Sequence, residues 1–414
     1  MITTVITPSL VRGAAELETT ARGLRPHRLP ASVRERFPDP QLMMAESQPS
    51  GVRLVFTTTA QQLELVTHPT RVVYLGADRP RGFVDLLVDG ELVHSDELAG
   101  GSYTEVNMST GASRQVEGES HVSAFSLPAG SKLVEIWLPH NESVELVDLR
   151  SDAPVEAYDS GRPVWLHHGS SISHGSNAAT PSGIWPAVAA RIGGVELHNL
   201  GLGGSAMVDP FTAQVMRDTP ADLISVKLGI NVVNGDVMRL RAFVPAMHGF
   251  LDTIREGHPE TPLVLVSPIF CGIHEDTPGP GAFDPASFGT DQIRFVATGD
   301  PAGVAAGQLT LRVIREALES LVERRAEDPN LFYLDGLSLY GAADAEEYPL
   351  PDALHPDGAT HRLIGERFAK YAFAGEGPFV GLSSRRLLTA SLSADSHNET
   401  RTEESRVPSS GASL

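Results

Sequence analysis

Val164 to Gly175, VWLHHGSSISHG, passes from an apolar run into a cluster of small residues. Val164-Trp165-Leu166 reads as a buried strand, and Gly169 stands where the backbone can turn sharply toward a following helix. A serine on such a turn presents its hydroxyl at the carboxyl end of a sheet, where open α/β folds place their ligands. Taken alone, Ser170-Ser171-Ile172-Ser173 reads as a polar loop, because serine is common in turns. The decision rests on what surrounds it.

Downstream, apolar runs alternate with segments of helical spacing. Val195 to Asn199, Leu223 to Leu228, Leu263 to Val266 and Leu331 to Leu334 read as strands. Ile184 to Ile192, Met238 to Arg255, Leu309 to Arg325 and Ala359 to Phe373 read as helices. Such alternation predicts a mostly parallel sheet with helices on both faces. Upstream the pattern differs: short β-branched and aliphatic runs such as Val52 to Thr58, Leu63 to Thr67, Arg71 to Leu75 and Lys132 to Leu138 are separated by Gly, Pro, Asn and Ser. Phe83 to Val88, Asp89-Gly90 and Glu91 to His94 form the clearest unit, since Asp-Gly suits a tight hairpin turn. The reading is therefore an all-β, jelly-roll-like sandwich over 1–158, joined through a linker in Ser151 to Pro163 to an α/β domain over 159–380. A tail over 381–414, rich in Ser, Thr and charge, reads as disordered. The Gly, Pro and Phe-rich stretch from Ile273 to Gly307 reads as a lid, a binding loop or irregular packing.

A net charge of -20 over 414 residues disfavours a nucleic-acid partner, which clustered Lys and Arg would hold. Cys271 is the single cysteine, so no internal disulfide or cysteine-based zinc site can form, and it reads as a small core hydrophobe. His167 and His168, adjacent on a strand, point to opposite faces and do not readily share a metal ion, so none is expected. The start, MITTVITPSLVRG, lacks a basic region and an uninterrupted apolar core, and no stretch suits a membrane span. The expectation is a soluble cytoplasmic protein.

Near the end of the second domain, Asp352 precedes His355 by three positions, just before a helix that Asp357 can cap. An aspartate there can meet the imidazole, fix its tautomer and leave the other nitrogen to take a proton. Alone, such a pair is ordinary surface polarity; beside a turn serine it is a candidate general base.

Four stretches in order, covering Val164 to about Tyr371, together resemble the signature blocks of the SGNH hydrolases, the GDSL family of esterases, lipases and acyltransferases. Gly169-Ser170-Ser171-Ile172 is similar to the Gly-Asp-Ser-Leu block, which implies Ser171 as nucleophile. Asn199-Leu200-Gly201-Leu202-Gly203-Gly204 is similar to the second block, with Gly204 the implied backbone donor to an oxyanion. Gly229-Ile230-Asn231 is similar to the third, implying the Asn231 amide as another donor, and Asp352 and His355 match the last. The resemblance implies a flavodoxin-like three-layer α/β/α domain carrying a Ser171, His355 and Asp352 triad, with an oxyanion hole from Ser171, Gly204 and Asn231. Acyl transfer passes through a tetrahedral oxyanion, and one fixed donor is worth roughly 10²- to 10³-fold in rate. Two residues depart from the family pattern: Ser170 and Val232 each stand where an aspartate is usual, which puts the local hydrogen bonding of the hole in doubt. His174, Phe270 and Phe288 are candidate pocket residues.

The two-domain layout resembles sugar-ester deacetylases and natural-product acyltransferases, among them one acting on a tetracycline-type polyketide. The first expectation is acyl transfer onto a hydroxyl of a small polyketide or glycoside, without a cofactor, from a donor substrate such as an acyl-CoA thioester. The alternatives are an esterase or deacetylase of a small ester or acetylated sugar, and a non-catalytic carbohydrate-binding protein.

Overall fold

Five parallel strands carry the serine turn: β1 (Val164–Gly169), β2 (Glu196–Gly201), β3 (Leu223–Lys227), β4 (Leu263–Val266) and β5 (Leu331–Leu334). Their spatial order, β2-β1-β3-β4-β5, is the flavodoxin-like one and reverses direction between β1 and β3. The turns after those two strands therefore open into the crevice where such folds bind ligands. The computed structural model describes residues 1–75, 80–107, 110–290 and 292–380. The tail expected to be disordered lies outside the described residues.

Helices cover both faces, because the strands are apolar on both sides. On one face, Trp185–Gly193 and Gly358–Phe373 pack Trp185, Ile364 and Phe368 onto Trp165, whose ring stacks on Phe368 at 5.0 Å. On the other, Pro210–Asp218, Leu240–Gly257 and Leu311–Glu323 bring Met216, Phe243, Phe250, Ile314 and Leu318 against Leu166, Ile224 and Val226. Each buried side chain of this size contributes roughly 1.5–3 kcal/mol of transfer free energy. The expected strands and helices are present with ends shifted by a few residues. Pro210–Asp218 was not anticipated, nor was Ile230–Asn234, the short helix that carries Asn231.

His167 and His168 do face opposite sides. His167 lies within 2.7 Å of Ser225 Oγ and 2.8 Å of Ser173 Oγ, while His168 Nδ1–H donates to Leu200 O and its ring stacks on Phe250. Burial holds His168 and the equally buried His361 at a pKa of about 4 and pushes His167 down as well. An unfolded histidine titrates near 6.5, so the unfolded chain takes up these protons first as the pH falls. This stabilisation is complete above about pH 6.5 and drains away toward pH 4, each histidine contributing up to about 1.4 kcal/mol per pH unit. The melting temperature should fall by several degrees between about pH 6.5 and 5.5, a trend that Asp209 opposes in part, since burial pushes its carboxyl up to about 6 and it takes up its proton more readily folded than unfolded. Thermal melts at fixed ionic strength measure this directly.

The upstream region is a sandwich. One sheet contains Arg53–Thr58, Phe83–Val88 and Lys132–Trp137; the other contains Gln62–Tyr74, His121–Ser126 and Ser143–Ser151. Leu54, Phe56, Val84, Leu86, Val134 and Ile136 meet Leu63, Leu65, Phe125, Leu146 and Leu149 between them. Asp89 and Gly90 turn the expected hairpin with φ of 51° and 88°. Two expected strands, Leu63 to Thr67 and Arg71 to Leu75, are one strand of 13 residues that continues through Pro69.

This region is not purely β, however. Ala31–Arg36 and Pro40–Ser47 are helices, the second started by Asp39, whose side chain accepts from Leu42 N–H with Pro40 at the first turn. They are too short for a helical period to stand out from the sequence.

The sandwich also blunts the exposed edge of the parallel sheet. An edge strand leaves a row of unpaired backbone groups. Arg28 Nη1 donates to Asn199 O at 3.1 Å and Gly201 O at 2.6 Å, and Arg53 Nη1 donates to Leu197 O at 3.3 Å. Three carbonyls of β2 are thus satisfied from a different sheet system. Among the described residues no helix is long and apolar enough to cross a membrane.

Candidate active site

Ser171 is the first residue of a one-turn helix, Ser171–His174, that begins where β1 ends. Gly169 is required there, since a Cβ at that position would fall 2.3 Å from Ser173 Oγ. The turn lifts Ser171 to the sheet edge, 8% exposed, while Ser173 points back to His167.

The histidine arrives from 184 residues further along the chain. Ser171 Oγ–H donates to His355 Nε2 at 2.9 Å, and His355 Nδ1–H donates to Asp352 Oδ2 at 2.8 Å. Between them Ala353 adopts φ 67°, a left-handed conformation uncommon for a residue with a Cβ. That turn folds the Asp352 carboxylate back, so that its Oδ1 accepts the N–H groups of Leu354 at 2.9 Å and His355 at 2.6 Å. Burial of Asp352 raises its pKa, but the hydrogen bonds and charge of His355, with the two backbone donors, outweigh it and hold the carboxyl below the ordinary aspartate value. Asp352 is therefore ionised at neutral pH, the state that supports an imidazolium. Asp357 caps the following helix by accepting from Thr360 N–H at 2.8 Å.

Gly204, Ser171 and Asn231 each keep a donor that has no acceptor among the described residues. Gly203 N–H is taken by His174 Nδ1 and Ser205 N–H by Leu202 O, whereas Gly204 N–H meets no acceptor among the described residues. Ser171 N–H, at the helix start, likewise meets none there. Asn231 Oδ1 accepts from Ala206 N–H at 3.2 Å, which orients the amide so that Nδ2 is the end left to donate elsewhere. Gly204 has φ 72°, and a Cβ on it would lie 3.0 Å from the Gln41 side chain. The glycine is needed there for its backbone conformation and for the close approach of Gln41.

A model of the GDSL-like lipase/acylhydrolase family matches residues 168–363, and a model described as the SsfX3 N-terminal domain matches residues 10–146. The parallel-sheet domain belongs to the GDSL-like lipase/acylhydrolase family. Both domains are similar to the salicylyl-acyltransferase SsfX3 from a tetracycline biosynthetic pathway, at 29% identity and a TM-score of 0.70, covering 88% of this chain and 95% of that one. A protein from Bacteroides ovatus described as a GDSL-like lipase shares the fold at 18% identity and a TM-score of 0.59, over 87% of this chain and 93% of its own. A family two carbohydrate esterase from Clostridium thermocellum does so at 13% identity and 0.51, over 77% and 90%. No curated protein sequence matches significantly.

Within this GDSL-like domain the two departures from the family pattern have different consequences. Val232 is fully buried in the apolar core. Ser170 Oγ is buried and has no hydrogen-bond partner among the described residues, so it ties down no neighbouring loop.

The three expected pocket residues have different surroundings. His174 is buried with both ring nitrogens engaged, Nε2–H donating to His140 O at 2.5 Å and Nδ1 accepting from Gly203 N–H and Arg28 Nη2 at 3.3 Å each. It is a tie between chain segments and presents no group to a substrate. Phe270 is partly buried and packs against the core, and Phe288 is 55% exposed with no ring partner among the described residues. The ring that meets the histidine is Phe295, edge-on to His355 at 5.6 Å. It belongs to a small hairpin, Gly281–Phe283 with Phe295–Ala297, so the stretch read as a loop carries structure of its own and docks through Phe295 N–H on Asp352 O at 2.8 Å. Asn177 Nδ2, donating to Asp352 Oδ2 at 3.1 Å, was also missed. Cys271 is buried, its thiol pushed up to about 12 by burial, and donates to Ala353 O, consistent with the packing role expected of it.

Proposed function

We propose that the chain is a serine-dependent acyltransferase that works through an acyl-enzyme on Ser171. The relay from Ser171 through His355 to Asp352, at 2.9 and 2.8 Å, is the observation that carries this reading. Ser171 Oγ attacks the acyl carbonyl of an ester or thioester, and its proton passes to His355 Nε2. The resulting oxyanion is met by Ser171 N–H, Gly204 N–H and Asn231 Nδ2. Collapse expels the alcohol or thiol, which takes the proton from His355. A hydroxyl of the acceptor then gives its proton to His355 as it attacks the acyl-enzyme, and Ser171 recovers its own on release.

Transfer onto a hydroxyl of a small natural product, a polyketide or a glycoside, with an acyl-CoA type thioester as donor, is the preferred outcome. Its support is the likeness to SsfX3 across both domains. The acylhydrolase name of the family keeps hydrolysis of a small ester as the second reading. Intact-mass measurement after incubation with a panel of activated thioesters and esters should show one acyl adduct, lost on a chase with hydroxylated acceptors as the acylated acceptor appears. Loss to water alone, with no acceptor captured, establishes an esterase in its place. Absence of any adduct overturns both and leaves the binding-protein reading.

Asn231→Ala should lower turnover by about 10²- to 10³-fold while leaving the Ser171 to His355 contact in place, because it removes one donor to developing charge. Steady-state kinetics with a 4-nitrophenyl ester checks this.

A further inference from the structure

The oxyanion loop is held from outside its own domain. Ser170, at the family's aspartate position, supplies no hydrogen bond to it, as its hydroxyl has no partner among the described residues. Two side chains of the sandwich region engage the loop and the turn beside it. Gln41 Nε2 donates to Gly203 O at 2.8 Å, and its amide occupies the space beside Gly204. Arg28, fully buried, donates from Nη1 to Asn199 O and Gly201 O, from Nη2 to Ala45 O, and from Nη2 to His174 Nδ1 at 3.3 Å. The same His174 Nδ1 accepts Gly203 N–H. Ser50 adds a third tie, donating from Oγ to His174 O at 2.5 Å.

We propose that Arg28 and Gln41 are positioning residues that fix the Gly203-Gly204 loop against the Ser171 turn, so that the sandwich completes the oxyanion hole of the neighbouring domain. This rests on the acyl-enzyme reading above. The geometry explains the arrangement at both peptides flanking Gly203. The N–H of Gly203, in the peptide before it, is held by His174, whose ring Arg28 steadies; its carbonyl, in the peptide after it, is held by Gln41, and that same peptide carries the Gly204 N–H that faces no acceptor among the described residues. Burial pushes the guanidinium pKa down to about 9, so Arg28 still carries its proton at neutral pH and donates to all four acceptors. Lysine has three donors on a single nitrogen and cannot span acceptors spread over β2, the Pro40–Ser47 helix and His174. Neither residue touches the reacting atoms; both act through the donor they aim.

The test uses the full chain, with active sites counted by the end-point adduct of a fluorophosphonate and turnover measured on 4-nitrophenyl acetate. Arg28→Met should lower kcat per titrated site by roughly 10- to 100-fold, since a displaced donor loses much of its effect. Gln41→Ala, at an exposed helix position that the fold does not need, should lower it by roughly 3- to 10-fold. In both, KM should stay within about threefold and the pH dependence of kcat/KM should be unchanged, because the His355 and Asp352 pair is untouched. A Gln41→Ala enzyme within about twofold of the parent overturns the proposal, as does an Arg28→Met enzyme whose whole deficit is a smaller number of titratable sites. A Ser171→Ala control that stays active overturns the acyl-enzyme reading itself, which keeps the two failures apart.

Discussion

Replacing Ser171 with alanine is expected to cut turnover of any activated ester by roughly 10⁴-fold or more and to abolish the covalent adduct. The substitution removes one oxygen and leaves the rest of the site in place. Ile172, the apolar neighbour that seats the turn, is buried, and Gly175 N–H still donates to the carbonyl of residue 171, which alanine retains. The folded state should therefore be preserved, with a melting temperature close to that of the parent. Any residual rate measures what the oxyanion donors and substrate binding supply by themselves. Turnover at a substantial fraction of the parent's would mean that another group carries the chemistry, and the acyl-enzyme reading would have to be abandoned.

Asp352→Asn is expected to cost on the order of 10⁴-fold in kcat, by a different route. Asp352 Oδ1 accepts two backbone N–H groups and Oδ2 faces His355 Nδ1. In the asparagine the carbonyl oxygen stays with the backbone donors, which puts the amide NH₂ against His355. Nδ1 must then accept, so the ring proton moves to Nε2, where it blocks the nitrogen that has to receive the proton of Ser171. The NH₂ also faces Asn177 Nδ2, a second donor with nowhere to give. Stopped-flow measurement of acylation, separated from deacylation, should show both steps slowed, since His355 serves each. An effect confined to KM would indicate that Asp352 only shapes binding.

The residues in these two predictions were legible in the chain because their short patterns, each bland alone, resemble in order the signature blocks of one family. A serine after an apolar run and a glycine, an aspartate three residues before a histidine, and glycines flanked by asparagine each leave a mark within six residues. Gly204 was legible too, though its reason was not: the left-handed backbone and the neighbouring Gln41 amide are facts of the folded chain. The pocket was less legible, for a related reason. His174 flanks the serine turn, and Phe270 and Phe288 are aromatics far along the chain. Whether an aromatic faces a site depends on where its segment docks, and it is Phe295, within a hairpin whose strands are three residues each, that docks on His355.

The sequence by itself determined the alternation of strands and helices and the sandwich before it, because hydrophobic period and turn chemistry are local properties, and its ordered resemblance to a family's signature blocks implied the serine, histidine and aspartate. Only the tertiary structure decided that β1 and β3 flank the reversal in strand order, that the sandwich seals the β2 edge, and that Arg28 and Gln41 reach the glycine loop. Those contacts join residues 162 to 173 positions apart. Hydrogen bonds at such separations are set by how two apolar cores pack together, which no local run of residues records.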